Sequence, residues 1–194
     1  MNAGNDITGI IPSGGTSLRM GTDKGSVVFN GSSFLAHVIE AVKPIVNDII
    51  VVSNNPDHEV IGCKRVPDII KESGPLAGLY SGLFHSTTKF NLVLSCDIPF
   101  IKTSILKQLV SQINDDNDVI QIESHNKSMP LIAVYKKECM HQCLDLLEQG
   151  ERRLRFAVQQ FKTKNVRLAP DLERYIRNIN TTHQLNQIRH EFEH

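Results

Sequence analysis

The chain has no excess of charge of either sign: 21 Lys and Arg meet 21 Asp and Glu over 194 residues. A neutral sum gives no general field for drawing in nucleic acid or an anionic membrane, so neither is expected as a partner. An anionic ligand would have to be held by a local cluster of cations. Cysteine is sparse and unpatterned. Cys63, Cys96, Cys139 and Cys143 form no CxxC pair and no disulfide framework, and nothing beside Cys139 and Cys143 completes a zinc set. They read as reduced, mostly buried thiols. Long apolar runs are also missing, and stretches such as Ile49 to Val52 are far too short to span a bilayer. The opening residues Met1 to Asp6 are polar, without the basic and apolar parts of a signal peptide. A soluble, cytoplasmic protein is expected. No repeat, low-complexity stretch or long linker divides the chain, so residues 1–194 are read as one domain.

What is present alternates. Short apolar or period-2 runs predict strands at Ile7–Ile11, Asp48–Val52, Asn91–Leu94, Asp118–Ile122, Leu131–Tyr135 and Asn165–Leu168. Helical spacing fills the intervals at Ser33–Lys43, Pro75–His85, Thr103–Ile113, Glu138–Gln149, Glu151–Phe161 and Thr182–Glu193. Strands separated by helices and short loops argue for a Rossmann-like three-layer α/β sandwich. Its sheet is expected to be mostly parallel, with helices on both faces. In such sheets ligands bind beyond the carboxyl ends of the strands, so the loops after strands are where chemistry should be sought.

The first of those loops is the richest. Pro12, Ser13, Gly14, Gly15, Thr16 and Ser17 lead through Arg19 and Gly21 to Asp23 and Lys24. Its glycines let backbone N–H groups approach a ligand, Thr16 and Ser17 add hydroxyls, and Arg19 and Lys24 add two cations. That combination suits a phosphate chain. Two familiar phosphate loops are excluded by spacing. No Gly is followed five residues later by Gly-Lys-Ser/Thr, and the glycines do not form GxGxxG.

A second station is the apolar strand ending in Ser95-Cys96-Asp97-Ile98-Pro99. An Asp at the carboxyl end of a buried strand sits where a ligand would lie, and its oxygens suit Mg²⁺. The same Asp could instead cap the following helix, although Pro99 and Lys102 intervene. Between the two stations, Gly74-Pro75 reads as a turn feeding a helix on which Gly78 permits close approach. No Ser, Cys or His arrangement suggests a nucleophilic triad, and the histidines show no metal-binding spacing.

The run Ser13-Gly14-Gly15-Thr16-Ser17-Leu18-Arg19-Met20-Gly21-Thr22-Asp23-Lys24 resembles the signature of the molybdenum cofactor guanylyltransferases. Looser versions occur in nucleotidyltransferases that act on molybdopterin with CTP or on sugar and polyol phosphates. The resemblance covers nearly the whole chain. It implies GMP transfer from GTP to the terminal phosphate of Mo-molybdopterin, with Arg19, Lys24 and Asp97 catalytic and Asp97 holding Mg²⁺. It implies nucleotide contacts from Pro12, Ser13, Gly14, Gly15, Lys24, Asp68, Gly78 and Asp97. An Asn at the end of the second strand is implied too, and Asn55 is taken over its neighbour Asn54. Pro130, Arg153, Asn178 and Asn180 fall in motifs on the side where molybdopterin docks. The resemblance further implies transient contact with molybdoenzymes or their chaperones. Three positions depart from it: Pro12-Ser13 replaces Leu-Ala, Met129 stands where a polar residue is common, and Thr182 replaces a proline. The first leaves base choice more open than transferase class, and a nucleotide-binding relative without catalysis remains an alternative.

Overall fold

A computed structural model describes residues 6–14, 16–17, 22–71, 73–181 and 183–187. Among them, seven strands form the main sheet: β1 (Ile7–Pro12), β2 (Asp48–Val52), β3 (Lys64–Val66), β4 (Phe90–Leu94), β5 (Val119–Ser124), β6 (Lys127–Lys136) and β7 (Thr163–Arg167). Their order across the sheet is β7-β5-β6-β4-β1-β2-β3. Strands β3, β2, β1 and β4 run parallel, β6 is antiparallel to both neighbours, and β7 is parallel to β5.

The helices are α1 (Phe34–Val42), α2 (Gly74–His85), α3 (Thr103–Val110), α4 (Cys139–Glu148) and α5 (Leu154–Val158). Two apolar clusters show which face each covers. Val38, Val42, Ile105 and Leu109 pack with Ile7, Ile11 and Leu92 on one side. Leu79, Leu83, Cys143, Leu147 and Ala157 pack with Ile10, Ile50 and Val93 on the other. The expected three-layer α/β architecture, mostly parallel with helices on both faces, is the one observed.

The central strand carries this packing because it alternates. Gly9 faces α1, and a Cβ there would lie 2.8 Å from Val42. Ile10 faces α2, where Gly82 leaves it room. Helix α1 starts where Ser33 Oγ accepts the Ala36 N–H at 3.1 Å, a side-chain cap.

Three of the differences from expectation have a clear local reason. Strand β3 was not anticipated: Lys-Arg-Val is short and charged, as edge strands often are. Helix α5 starts late because Glu151 Oε1 accepts the N–H groups of Arg152 and Arg153, which holds a turn ahead of it. Strand β6 starts four residues early, since His125 and Asn126 adopt left-handed φ of 49° and 57° and close a hairpin with β5. Of the helix expected over 182–193, residues 183–187 are helical and the remainder lies outside the described residues. Among the described residues, no helix is long and apolar enough to cross a membrane.

Cys96, Cys139 and Cys143 are buried and Cys63 is half-buried. Burial pushes Cys96 and Cys143 up to about 12 from an ordinary 9.0. Above pH 9 the unfolded chain therefore sheds protons that the folded chain keeps, so stability falls as pH rises. The melting temperature is expected to decline from about pH 9 toward pH 12. At pH 8 a thiol reagent should label Cys63, and the other three only on unfolding. Rapid labelling of Cys96 in the folded protein would contradict this.

Candidate active site

The parallel strands β1 to β4 all deliver their carboxyl ends to one rim. Pro12, Ser13 and Gly14 leave β1, Ser53, Asn54 and Asn55 leave β2, Asp68 follows β3, and Ser95, Cys96 and Asp97 follow β4. With Asp23, Lys24, Asn178 and the first turn of α2 they line a cavity of about 710 Å³.

Its floor is a charged cluster. Asp97 is buried, and its Oδ2 accepts from Lys24 Nζ at 3.0 Å and from Asn178 Nδ2 at 3.4 Å. Its Oδ1 accepts from Ser95 Oγ at 2.6 Å. Lys24 Nζ also donates to Asn180 Oδ1. Along the segment that supplies both asparagines, Asn178 reaches Asp97 and Asn180 reaches Lys24, while Ile179 is buried against Phe29, Phe34 and Leu185. The Ile179 N–H donates to the Asp97 carbonyl at 2.8 Å, fixing this register. Two residues 81 and 83 positions from Asp97 in sequence thus complete its surroundings.

One wall is a second polar pair. Asn54 Nδ2 donates to Asp68 Oδ2 at 3.3 Å, and Asn54 Oδ1 accepts the Asp68 N–H at 3.1 Å. Burial raises the Asp68 pKa above the usual carboxylate value. Asn55 also lines the cavity, but its Oδ1 accepts the Asp57 N–H and caps the short turn Pro56–His58. Beside Asp68, Gly78 permits the approach of Pro12, whose Cβ would lie 3.1 Å from any side chain there.

A smaller pocket of about 380 Å³ opens beside the first and shares Pro75, Ser95, Leu131 and Asn178 with it. Its lining is largely apolar, including Met129, Pro130, Ile132 and Leu154, with Arg153 and Arg155 at its edge. The pocket exists because β6 changes register between Met129 and Ala133, leaving Pro130–Ile132 as a bulge. Tyr135 Oη donates to the Pro130 carbonyl at 2.7 Å and holds that bulge. The Arg153 guanidinium folds onto Glu151, which it holds down at about 2.

Of the residues singled out from the sequence, Pro12, Ser13, Gly14, Lys24, Asn55, Asp68, Gly78, Asp97 and Asn178 line the larger cavity. Asn180 joins through Lys24, and Pro130 and Arg153 line the smaller pocket. Gly15 and Arg19 lie outside the described residues. Sequence reasoning missed Ser95, and it named Asn54 only as the alternative to Asn55. The Ser95-x-Asp97 spacing was a usable signal, because alternate residues at a strand end can share a side. The pairing of Asn54 with Asp68 left none.

A mostly parallel sheet whose strand-end loops gather a Lys–Asp pair at a cavity of this size suits a nucleotide-binding enzyme. The chain belongs to the MobA-like NTP transferase domain family, whose profile matches residues 9–164. A probable molybdenum cofactor guanylyltransferase of Flavobacterium johnsoniae is 31% identical over 182 residues, covering 94% of this chain and 96% of that protein. A molybdenum cofactor guanylyltransferase of Desulfosudis oleivorans is 28% identical over 189 residues, covering 93% of each. Among solved structures, molybdopterin-guanine dinucleotide biosynthesis protein A from Archaeoglobus fulgidus superposes with a TM-score of 0.80 at 20% identity, covering 96% of this chain and 98% of that one. That likeness establishes the fold.

Proposed function

We propose that the chain, acting as one unit over residues 1–194, transfers GMP from GTP to the terminal phosphate of Mo-molybdopterin. A phosphate oxygen of the acceptor attacks the α-phosphorus of GTP. The bond from that phosphorus to the bridging oxygen breaks, and pyrophosphate leaves with its electrons. The attacking oxygen is already anionic, so no side-chain nucleophile is needed. The barrier is repulsion between anions and charge gathering on the leaving group. The observation that carries this reading is the Lys24–Asp97 pair at the floor of a strand-end cavity, in a chain of this family.

Lys24 would neutralise the triphosphate, while the backbone over Ser13–Ser17 cradles it and Arg19 adds a second cation. The family implies a divalent ion, and we assign Mg²⁺. The donors at the floor fit it: the carboxylate of Asp97 and the hydroxyl of Ser95 are hard oxygens, whereas the nearby Cys96 thiol stays protonated. Among the described residues no cluster of three carboxylate, His or Cys side chains forms a cage, which suits an ion that takes its other oxygens from substrate phosphates and water. Bound there, the ion would supply Lewis-acid stabilisation of phosphate charge. Asp97 would be its protein ligand.

The Asn54–Asp68 wall favours guanine. An acceptor carboxylate can take hydrogen bonds from both N–H groups on the edge of guanine, whereas cytosine offers its amino group alone. Asp68→Asn is expected to reduce the preference for GTP over CTP by about 10- to 100-fold while leaving the fold intact. Competition between the two nucleotides in a pyrophosphate-release assay measures it, and an unchanged ratio would remove Asp68 from base selection.

The smaller, largely apolar pocket would take the pterin end of the acceptor, with Pro130, Arg153 and Asn178 along it and Asn180 at the junction. Hand-over of the finished dinucleotide would involve transient contact with a molybdoenzyme or its chaperone in the cytoplasm. The deciding experiment measures pyrophosphate release with Mg²⁺ from GTP, CTP and ATP, with and without Mo-molybdopterin. Release that needs both GTP and the acceptor supports the proposal. A preference for CTP, or nucleotide binding without release, overturns it.

A further inference from the structure

Lys24 sits in a short turn, and that turn rests on a buried histidine that the chemistry above does not use. Asp23 caps the turn Lys24–Ser26, its Oδ1 accepting the Gly25 N–H at 2.9 Å. The same Oδ1 lies 3.0 Å from His58 Nε2, and Ser26 Oγ lies 3.1 Å from that nitrogen. On the other side of the ring, Ser53 Oγ is 2.8 Å from Nδ1. Ser53 Oγ also accepts the Asn55 N–H at 3.0 Å. The Asp23 carboxylate can only accept, so Nε2 carries a hydrogen and donates it to Asp23.

His58 is 2% exposed, so this is an interior strut and not a surface contact. Gly25 makes the arrangement possible. A Cβ there would lie 2.8 Å from the His58 ring and 2.3 Å from Ser13 Oγ. The strut joins the loop after β1 to the end of β2, the two segments that flank the cavity.

We infer that His58 is a positioning residue for nucleotidyl transfer: it holds the Asp23 cap, and through it places Lys24 Nζ on Asp97 and the phosphates. Two features of the geometry favour this over simple packing. The ring spends both nitrogens on polar groups of the two site-forming loops. The residue it grips is also the immediate chain neighbour of the cation, so a shift of the cap moves Lys24 directly. A displacement of about 1 Å in such a group is enough to cost roughly 100-fold in rate. The role in transfer rests on the proposed function; the role in ordering the turn does not.

The test uses the full chain with His58→Leu, which fills the space without hydrogen bonds, and His58→Gln, whose amide nitrogen can still donate to Asp23. In His58→Leu, kcat for pyrophosphate release is expected to fall by about 10- to 100-fold, with KM for GTP changed by less than about threefold. Without nucleotide, amide exchange at Gly25 should quicken by about tenfold or more, while the sheet amides of Val51 and Val93 stay as protected as in the wild type. His58→Gln should recover most of both. Unchanged Gly25 exchange in His58→Leu overturns the inference. So does equal acceleration of the sheet amides, or failure of His58→Gln to recover either property. If the wild type itself releases no pyrophosphate from GTP, the proposed reaction falls, and the exchange measurement still decides whether His58 holds the turn.

Discussion

Asp97→Asn is expected to lower pyrophosphate release by about 1,000-fold or more while the protein remains folded. The variant keeps an oxygen for the Ser95 hydroxyl but offers neutral atoms where Lys24 Nζ now meets a carboxylate at 3.0 Å. The loss is electrostatic. The carboxylate holds Lys24 in place and is the protein ligand assigned to the divalent ion. Uncoupling a wholly buried pair costs about 3–5 kcal/mol. Here the Lys24 side chain is 27% exposed, so a stability loss of about 1–2 kcal/mol is expected. Lys24→Ala should lower release comparably, and the double variant should be little worse than the more damaged single one, because the pair acts as a unit. Release rates and thermal melts of the three variants check this. Normal turnover in both single variants would remove the pair from the reaction.

Gly82→Ala is expected to destabilise the fold by about 3 kcal/mol, lowering the melting temperature by roughly 6–12 °C. The sign is the informative part. Alanine in a helix interior ordinarily gains about 1 kcal/mol over glycine. At this position, however, the added Cβ would lie 2.2 Å from Ile10 Cγ2 and 3.2 Å from its Cδ1. Ile10 is fully buried in the central strand, so neither partner can move aside and overpacking outweighs propensity. Ile10→Ala in the same chain removes the clashing methyl, and the double variant should lose markedly less than the sum of the two single losses. A Gly82→Ala protein as stable as the wild type would show that α2 can shift on the sheet, which the close fit argues against.

The α/β class was readable because burial imposes period. Strands covered on both faces must be apolar runs, and helices covering a sheet must repeat their apolar residues every three or four positions. That reasoning placed β1, β2 and β4 to within a residue or so at each end. It missed β3, because a three-residue edge strand with Lys and Arg has no period to show. It also overextended α5, whose first turn is set by the side chain of Glu151.

For the site, Lys24 stood out in a glycine- and hydroxyl-rich loop after an apolar strand, and Asp97 at a strand end, where the family resemblance favoured a metal ligand over a helix cap. Asn54 was named only as the alternative to Asn55. Its carboxamide differs from that of Asn55 only in what each meets: Asp68 in one case, a local turn in the other. The smaller pocket was equally hidden, since a register change in β6 depends on pairing with β5 and on Tyr135 reaching back to Pro130.

By itself, then, the sequence determined the α/β alternation and the chemical content of the loop after β1, because periodicity and residue type are local properties. It also determined that the formal net charge is zero, since charge is a sum over composition. Only the tertiary structure decided that Asn178 and Asn180 close over Asp97, that Asn54 holds Asp68, and that His58 stands behind Lys24. Those pairings join residues far apart in the chain through strand order and register, and no local pattern specifies which distant partner a polar side chain will meet.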